Sequence, residues 1–215
     1  MRWGMVIDLT KCIGCWACVM ACKQEHFLPR DVFWARIAMA ETGKFPMVTR
    51  QLLPTVCNHC QDAPCAKVCP TGATFLREDG IVYVDYDKCV GCRYCVIACP
   101  YQHRTFLSKI KEYNPGQGYT EFEIMGQQLY PLQKGTAIKC NFCMERIDKG
   151  SAKGLTPGKD REATPACVIA CPTRARYFGN LDNEEEDVVK LIHQKKGFKL
   201  HPEFSTDPSV YYLYY

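Results

Sequence analysis

Residues 57–100 read CNHCQDAPCAKVCPTGATFLREDGIVYVDYDKCVGCRYCVIACP, and this stretch decides the fold. It holds eight cysteines in two groups: Cys57, Cys60, Cys65 and Cys69-Pro70, then Cys89, Cys92, Cys95 and Cys99-Pro100. Cysteines two residues apart, repeated in threes, are badly placed to bridge one another and well placed to converge on a metal centre. Disulfides are therefore not the expected use of these thiols, which are read as thiolates kept reduced until an inorganic core is inserted.

The second group is C-x2-C-x2-C-x3-C-P and resembles the run with which bacterial ferredoxins hold 4Fe-4S clusters, the fourth cysteine reaching to the other cluster of a pair. Two such groups make one two-cluster module. Tetrahedral zinc is the alternative for C-x2-C pairs, but it needs two pairs per site, whereas these groups carry four regularly spaced cysteines. A brown protein absorbing broadly near ~400 nm separates cluster from zinc.

Working outward, the chain of 215 residues repeats the pattern and holds sixteen cysteines in all. Cys12, Cys15, Cys18 and Cys22 repeat the spacing of Cys89, Cys92, Cys95 and Cys99 at a constant offset of 77. The match includes Val6-Ile7-Asp8 with Tyr83-Val84-Asp85, Lys11 with Lys88, and Gly14 with Gly91. Cys57-Asn58-His59-Cys60 is likewise similar to Cys140-Asn141-Phe142-Cys143, and Cys69-Pro70-Thr71-Gly72-Ala73 to Cys171-Pro172-Thr173-Arg174-Ala175. The order A, B, A′, B′ reads as a duplicated two-cluster unit.

A short strand is expected before each A group (Met5–Asp8, Ile81–Asp85), then a glycine-containing ligand loop and a helical turn. Pro70, Pro100 and Pro172 each follow a fourth cysteine, where a fixed φ suits a chain turning away; Cys22 is followed by Lys23 instead. The gap from Cys69 to Cys89 is the shortest, so B and A′ form the inner module and A closes with B′. The ferredoxin rule of three ligands plus one from the partner then gives four sets: Cys12, Cys15, Cys18 with Cys171; Cys22 with Cys140, Cys143, Cys167; Cys57, Cys60, Cys65 with Cys99; and Cys69 with Cys89, Cys92, Cys95. The fold class expected is α+β: two pseudo-symmetric ferredoxin-like modules, loop-rich and stapled by clusters. The expected divisions are 1–50 plus 138–182 as an outer, discontinuous module, 51–107 as the inner one, 108–137 as a connecting insertion, and 183–215 as a C-terminal helix and aromatic docking tail.

The formal charge of +4 is outweighed once each 4Fe-4S core with its thiolates contributes about −2, so net charge supports no nucleic-acid partner. Lys11, Lys88 and Lys139 each precede the first cysteine of a group, either as solvated surface or as positive charge raising a cluster's potential. Met1–Asp8 runs toward the first ligand with no apolar export segment or twin arginine, and no apolar run approaches the ~20 residues of a membrane span. The expectation is a chain with no signal of its own, on the cytoplasmic face or in the periplasm by co-export with a partner.

Ser108–Ala137 and Ser151–Glu162 read as long polar connections, either surface loops or docking elements. Asn183–Gln194 carries acidic residues first and Lys190 later, a helix of favourable dipole sense. The terminal Ser209-Val210-Tyr211-Tyr212-Leu213-Tyr214-Tyr215 is expected to pack on this chain or on a partner. No catalytic constellation appears. His59 lies inside a ligand loop, where spacing or tuning a cluster sulfur outranks acid–base work, and Trp16 and Tyr94 are expected to pack over clusters and exclude water.

The order of the groups, the Met-Val-Ile-Asp start, Cys-Asn-His-Cys, Ala-Cys-Val-x-x-Cys-Pro-Thr-Arg-Ala and Tyr-Phe-Gly-Asn-Leu-Asp together resemble the four-cluster subunits of molybdopterin or tungstopterin oxidoreductases, a family that includes polysulfide, dimethyl sulfoxide, arsenate and tetrathionate reductases. The likeness covers residues 1–185 closely and the tail less so. It implies a non-catalytic electron-transfer subunit with four 4Fe-4S clusters. The partners it implies are a large pterin-metal catalytic subunit and an integral membrane, quinone-linked subunit, which would make this a peripheral member of a membrane-associated complex. An independent soluble polyferredoxin is the alternative.

Overall fold

The computed structural model describes residues 1–214. Strand β1 (Trp3–Asp8) is buried at every position, as an apolar run covered on both faces should be. The first ligand loop leads to helix α1 (Ala17–Glu25), then to a long hairpin of β2 (Arg36–Lys44) and β3 (Met47–Thr55). The inner stretch follows as α2 (Pro64–Lys67), β4 (Thr74–Leu76), β5 (Val82–Val84), α3 (Tyr94–Ile97) and β6 (Thr105–Phe106). Helix α4 (Glu121–Leu129) precedes β7 (Ala137–Ile138), α5 (Met144–Ala152), α6 (Ala166–Ile169) and β8 (Arg176–Asn180), and α7 (Asp187–Gln194) and β9 (Val210–Leu213) complete the chain. The result is a mixed fold of short helices and small sheets. Among the described residues no helix is long and apolar enough to cross a membrane.

The principal sheet has the order β8-β1-β9, with β8 antiparallel and β9 parallel to β1. A second ladder pairs β4 with β5. The two ladders share one register: Met5–Phe178, Val6–Tyr177 and Ile7–Arg176 correspond, by the sequence repeat, to Val82–Leu76, Tyr83–Phe75 and Val84–Thr74. The backbone bond that continues each ladder is also repeated, from Asp8 N–H to the Ala175 carbonyl (2.7 Å) and from Asp85 N–H to the Ala73 carbonyl (2.8 Å). In both, the strand before an A-type group pairs with the strand after a B-type group.

Helix lengths follow the prolines. α2, α3 and α6 have four residues each and end ahead of Cys69-Pro70, Cys99-Pro100 and Cys171-Pro172. Lys23 in place of proline lets α1 run on to Glu25. Glu25 then reaches the guanidinium of Arg146 on α5 at 3.1 Å.

Three stretches differ from or add to the sequence expectation. Residues 108–137 are closed at their base by the β6–β7 pair and contain α4, opened by a capping box in which Thr120 and Glu123 satisfy each other's backbone N–H groups. The β2–β3 hairpin occupies much of the connection from Cys22 to Cys57 and carries an exposed tip at Phe45 and Met47. The aromatic end packs on this chain. Val210, Tyr212 and Leu213 are fully buried because β1 offers β9 a free edge and an apolar face, so residues 210–213 are core strand, packed on this chain, one of the two outcomes expected for this end. Tyr215 lies outside the described residues.

Candidate iron–sulfur centres

The ligand loops of the two A-type groups have one backbone geometry. Gly14 and Gly91 take φ of 69° and 71°, and Trp16 and Arg93, which cap α1 and α3, take 63° and 65°. Left-handed residues on either side of the middle cysteine curl the loop, and in the first group Cys12, Cys15 and Cys18 line one pocket. Cys15 and Cys92, equivalent in the repeat, are the two exposed cysteines.

The thiols gather as follows. Cys12, Cys15, Cys18 and Cys171 line one small, partly open and mostly apolar pocket. Cys57, Cys60, Cys65 and Cys99 line a second of the same kind. Cys22, Cys140, Cys143 and Cys167 are all buried and lie within electrostatic reach of one another. Cys89 lies within such reach of Cys95, while Cys69 is fixed by the Thr74 N–H at 3.4 Å. Among the described residues no three Cys, His, Asp or Glu are arranged to hold a single ion. The thiols surround spaces, and do not meet at a point.

Burial dominates the chemistry of these groups. It pushes the Cys60 and Cys140 thiols up to about 12, and Cys22 and Cys143 well above the ordinary range. Cys69 and Cys171 go the other way: burial raises them, but hydrogen bonds outweigh it. Thr71 and Thr173 place hydroxyls 3.7 and 3.6 Å from the respective sulfurs, and the N–H groups of Thr74 and Ala175 donate at 3.4 and 3.2 Å. The Cys-Pro-Thr repeat thus has a physical reason, since a hydroxyl two residues on supports a thiolate.

Several polar side chains beside the sulfurs were not singled out by the sequence. His26 Nε2 lies 3.3 Å from Cys143 Sγ, its ring packed between Trp34 and Tyr130 and held neutral by burial, which lowers it to about 3. Arg104 donates to Cys65 Sγ at 3.1 Å, and Arg176 reaches Cys167 Sγ at 3.8 Å. His26 Nδ1, His59 Nε2, Arg104 Nε and Arg176 Nη2 are buried with no protein partner. Arg176 and Arg104 line the two thiol-lined pockets, and unpartnered guanidinium donors there are what a sulfide-rich core would satisfy, so the donor set fits 4Fe-4S clusters.

Of the three lysines beside ligands, Lys11 and Lys88 are exposed, bonded to Tyr177 and Asp85. Lys139 is 3% exposed and donates to the carbonyls of Val82 and Cys140, so its charge stands inside the protein. His59 is fully buried and accepts the Val82 N–H at Nδ1 (3.1 Å), and burial holds its imidazole neutral. Trp16 lines the first cavity at partial exposure, and Tyr94 is largely exposed.

Residues 48–117 match a family model described as a 4Fe-4S dicluster domain, and residues 11–73 match a second of the same description. Over 225 residues the chain is 39% identical to a putative dimethyl sulfoxide reductase iron-sulfur subunit of Halobacterium salinarum, covering 99% of this chain and 79% of the relative. It is 40% identical to the B subunit of selenate reductase from Mesobacillus selenatarsenatis, over 99% of this chain and 72% of that one. It is 37% identical to the arsenate respiratory reductase iron-sulfur subunit of Shewanella sp. strain ANA-3, over 99% and 96%. Two dicluster domains and sixteen cysteines give a complement of four 4Fe-4S clusters.

Proposed function

We infer, from the premise that this chain belongs to the family of 4Fe-4S dicluster iron–sulfur subunits of oxidoreductase complexes, that its sixteen cysteines form one conductor between a catalytic partner and a second partner. A bound 4Fe-4S cluster supplies a one-electron carrier. The chain's residues supply ligation, spacing, burial and electrostatic tuning, and the substrate chemistry belongs to the partner.

The observation that carries this reading is the shared register of the β1–β8 and β4–β5 ladders. It supports two pseudo-symmetric modules, residues 1–50 with 138–182 and residues 51–107, although the first is discontinuous in sequence. With the two four-cysteine cavities it supports the ligand sets Cys12, Cys15, Cys18, Cys171 and Cys57, Cys60, Cys65, Cys99. The remaining sets follow as Cys22, Cys140, Cys143, Cys167 and Cys69, Cys89, Cys92, Cys95. Cys15 with Ile13 and Trp16, and Cys92 with Val90, Tyr94 and Ile97, put exposed apolar surface beside a ligand at two equivalent loops. These are the two exits of the conductor.

The relatives are named for reductases of dimethyl sulfoxide, selenate and arsenate. The partner proposed for one exit is accordingly a large molybdopterin or tungstopterin subunit, and for the other an integral membrane, quinone-linked subunit. This chain would sit as the peripheral link. Anaerobic purification of the full chain from its native source tests the reading: about 16 iron and 16 sulfide per chain, four atoms of each to a cluster, with a large pterin-containing subunit in the same peak, is the expected result. A monomer with full iron and no large partner would instead identify a free polyferredoxin.

A further inference from the structure

Two arginines are buried where a charged side chain has no ordinary reason to be. Arg104 is 5% exposed and Arg176 4% exposed. The groups that act most strongly on them electrostatically are thiols, and among the described residues neither guanidinium is hydrogen-bonded to a carboxylate. Burying a guanidinium without a counter-charge is too costly to stand, so each must be balanced by what the neighbouring thiols hold. The unpartnered Nε of Arg104 and Nη2 of Arg176 lead to the same requirement.

Their positions are equivalent, though their backbone origins are not. Arg104 donates to Cys65 Sγ at 3.1 Å and to Thr74 Oγ1 at 3.0 Å, and acts on Cys95. Arg176 reaches Cys167 Sγ at 3.8 Å, Met5 Sδ at 3.5 Å, and acts on Cys18. Under the sequence repeat Cys65 corresponds to Cys167 and Cys95 to Cys18. Thr74, to which Arg104 donates, is the register equivalent of Arg176 itself. In one module the guanidinium grows from the strand; in the other that strand position carries a threonine, and an arginine from the segment after Cys99 reaches into the same place. Two different chain paths thus deliver one charge to one location.

We propose that Arg104 and Arg176 are inter-cluster positioning residues, each a fixed positive charge shared by the two clusters of its module: Arg104 between the sets containing Cys65 and Cys95, Arg176 between those containing Cys167 and Cys18. A fixed cation stabilises the reduced, more negative state of both neighbours, so each arginine raises two potentials together. This rests on the four-cluster reading and adds to it a pairing of the potentials.

The test is an EPR-monitored redox titration of the intact holoprotein for R104Q, R104K, R176Q and R176K, with iron and sulfide analysis of each. The expected result is a fall in two midpoint potentials in R104Q and in the other two in R176Q, with the lysine variants closer to wild type. Unmoved potentials in Gln variants that keep all clusters overturn the proposal, as do overlapping pairs or equal shifts in Gln and Lys variants. If a Gln variant loses clusters, retention in the Lys variant supports a charge-dependent role and loss in both overturns it. A wild-type protein lacking four clusters would refute the reading beneath the proposal, which separates the two failures.

Discussion

The imidazole of His59 lies stacked on the phenyl ring of Phe142, with centroids 3.7 Å apart and planes 25° from parallel. The two residues are equivalents in the repeat, each between two ligand cysteines and each in the left-handed region (φ 43° and 57°). The B-type loops therefore meet through the same side-chain position, one from each half of the chain. Cys57 and Cys140, the first cysteines of these loops, are within electrostatic reach of each other. The junction between the halves is a dry ring pair, reinforced by Phe178 edge-on to Phe142 at 5.4 Å.

Phe142 is 1% exposed, so its truncation leaves a cavity at that junction. Phe142→Ala should cost about 3–5 kcal/mol and Phe142→Leu roughly 1–2 kcal/mol, since leucine refills part of the volume but not the stacking. The readout is the denaturant midpoint at which cluster absorbance is lost. A Phe142→Ala protein as resistant as wild type would mean the ring pair does not hold the halves together.

The proposed ligand sets make a pairing that sequence neighbours would not suggest. Cys22→Ser and Cys143→Ser should disturb one and the same spectroscopic centre, as should Cys171→Ser and Cys12→Ser. Cys57→Ser should disturb a different one. If Cys22→Ser and Cys57→Ser alter the same EPR signal, the discontinuous module is wrong.

Lys23 sits where the other groups have proline, and its side chain turns inward. At 5% exposure its ammonium donates to the carbonyls of Pro29 (2.5 Å), Arg30 (3.0 Å) and Val32 (3.2 Å) and lies 4.4 Å from the centroid of the Phe33 ring. Lys23→Met keeps the helix and the volume but leaves these acceptors without their donor, at a cost of about 2–4 kcal/mol. Hydrogen exchange over residues 28–33 should rise in the same variant. Unchanged exchange there would show that the loop is held by something other than the lysine.

The repeat of cysteine groups was legible in the sequence because cysteine spacing is rigid: a cluster demands thiols at set intervals, and the chain around them has little freedom. The strands at Met5–Asp8 and Ile81–Asp85 were legible from their Val, Ile and Tyr content, and the helix near residues 183–194 from its charge order. Helix α4 was recoverable in principle, since Thr120-x-x-Glu123 is a capping-box signature lost among the surrounding turn residues. The β2–β3 hairpin was not, because its mostly exposed strands lack a buried face that would impose alternation. Arg104, Arg176 and His26 escaped for a different reason: their importance comes from three-dimensional proximity to sulfurs far away in sequence, and an arginine gives no sign in one dimension that it will be buried.

Asp8 supplies a test of sign. Its side chain is 1% exposed, its Oδ1 accepts from the backbone N–H and hydroxyl of Thr10, and its Oδ2 accepts from Lys195 Nζ at 2.8 Å. Burial pushes this carboxyl up, but the hydrogen bonds from Lys195 and Thr10 outweigh it and hold it below the ordinary 3.8. A depressed carboxylate stabilises the fold fully above its unfolded value and loses that contribution as pH falls through the folded one. Asp8→Asn should therefore cost about 1–3 kcal/mol, and the gap to wild type should stay level from about pH 6 to 8 and close only in stronger acid. Lys195→Ala should behave differently. With its main opponent gone, burial raises the Asp8 carboxyl, so the contribution that acid removes shrinks and this variant should lose less stability on acidification than wild type. Denaturant midpoints measured across this range on the three proteins decide the matter, and a wild-type advantage over Asp8→Asn that widens toward acid would reverse the sign and refute the pairing of Asp8 with Lys195.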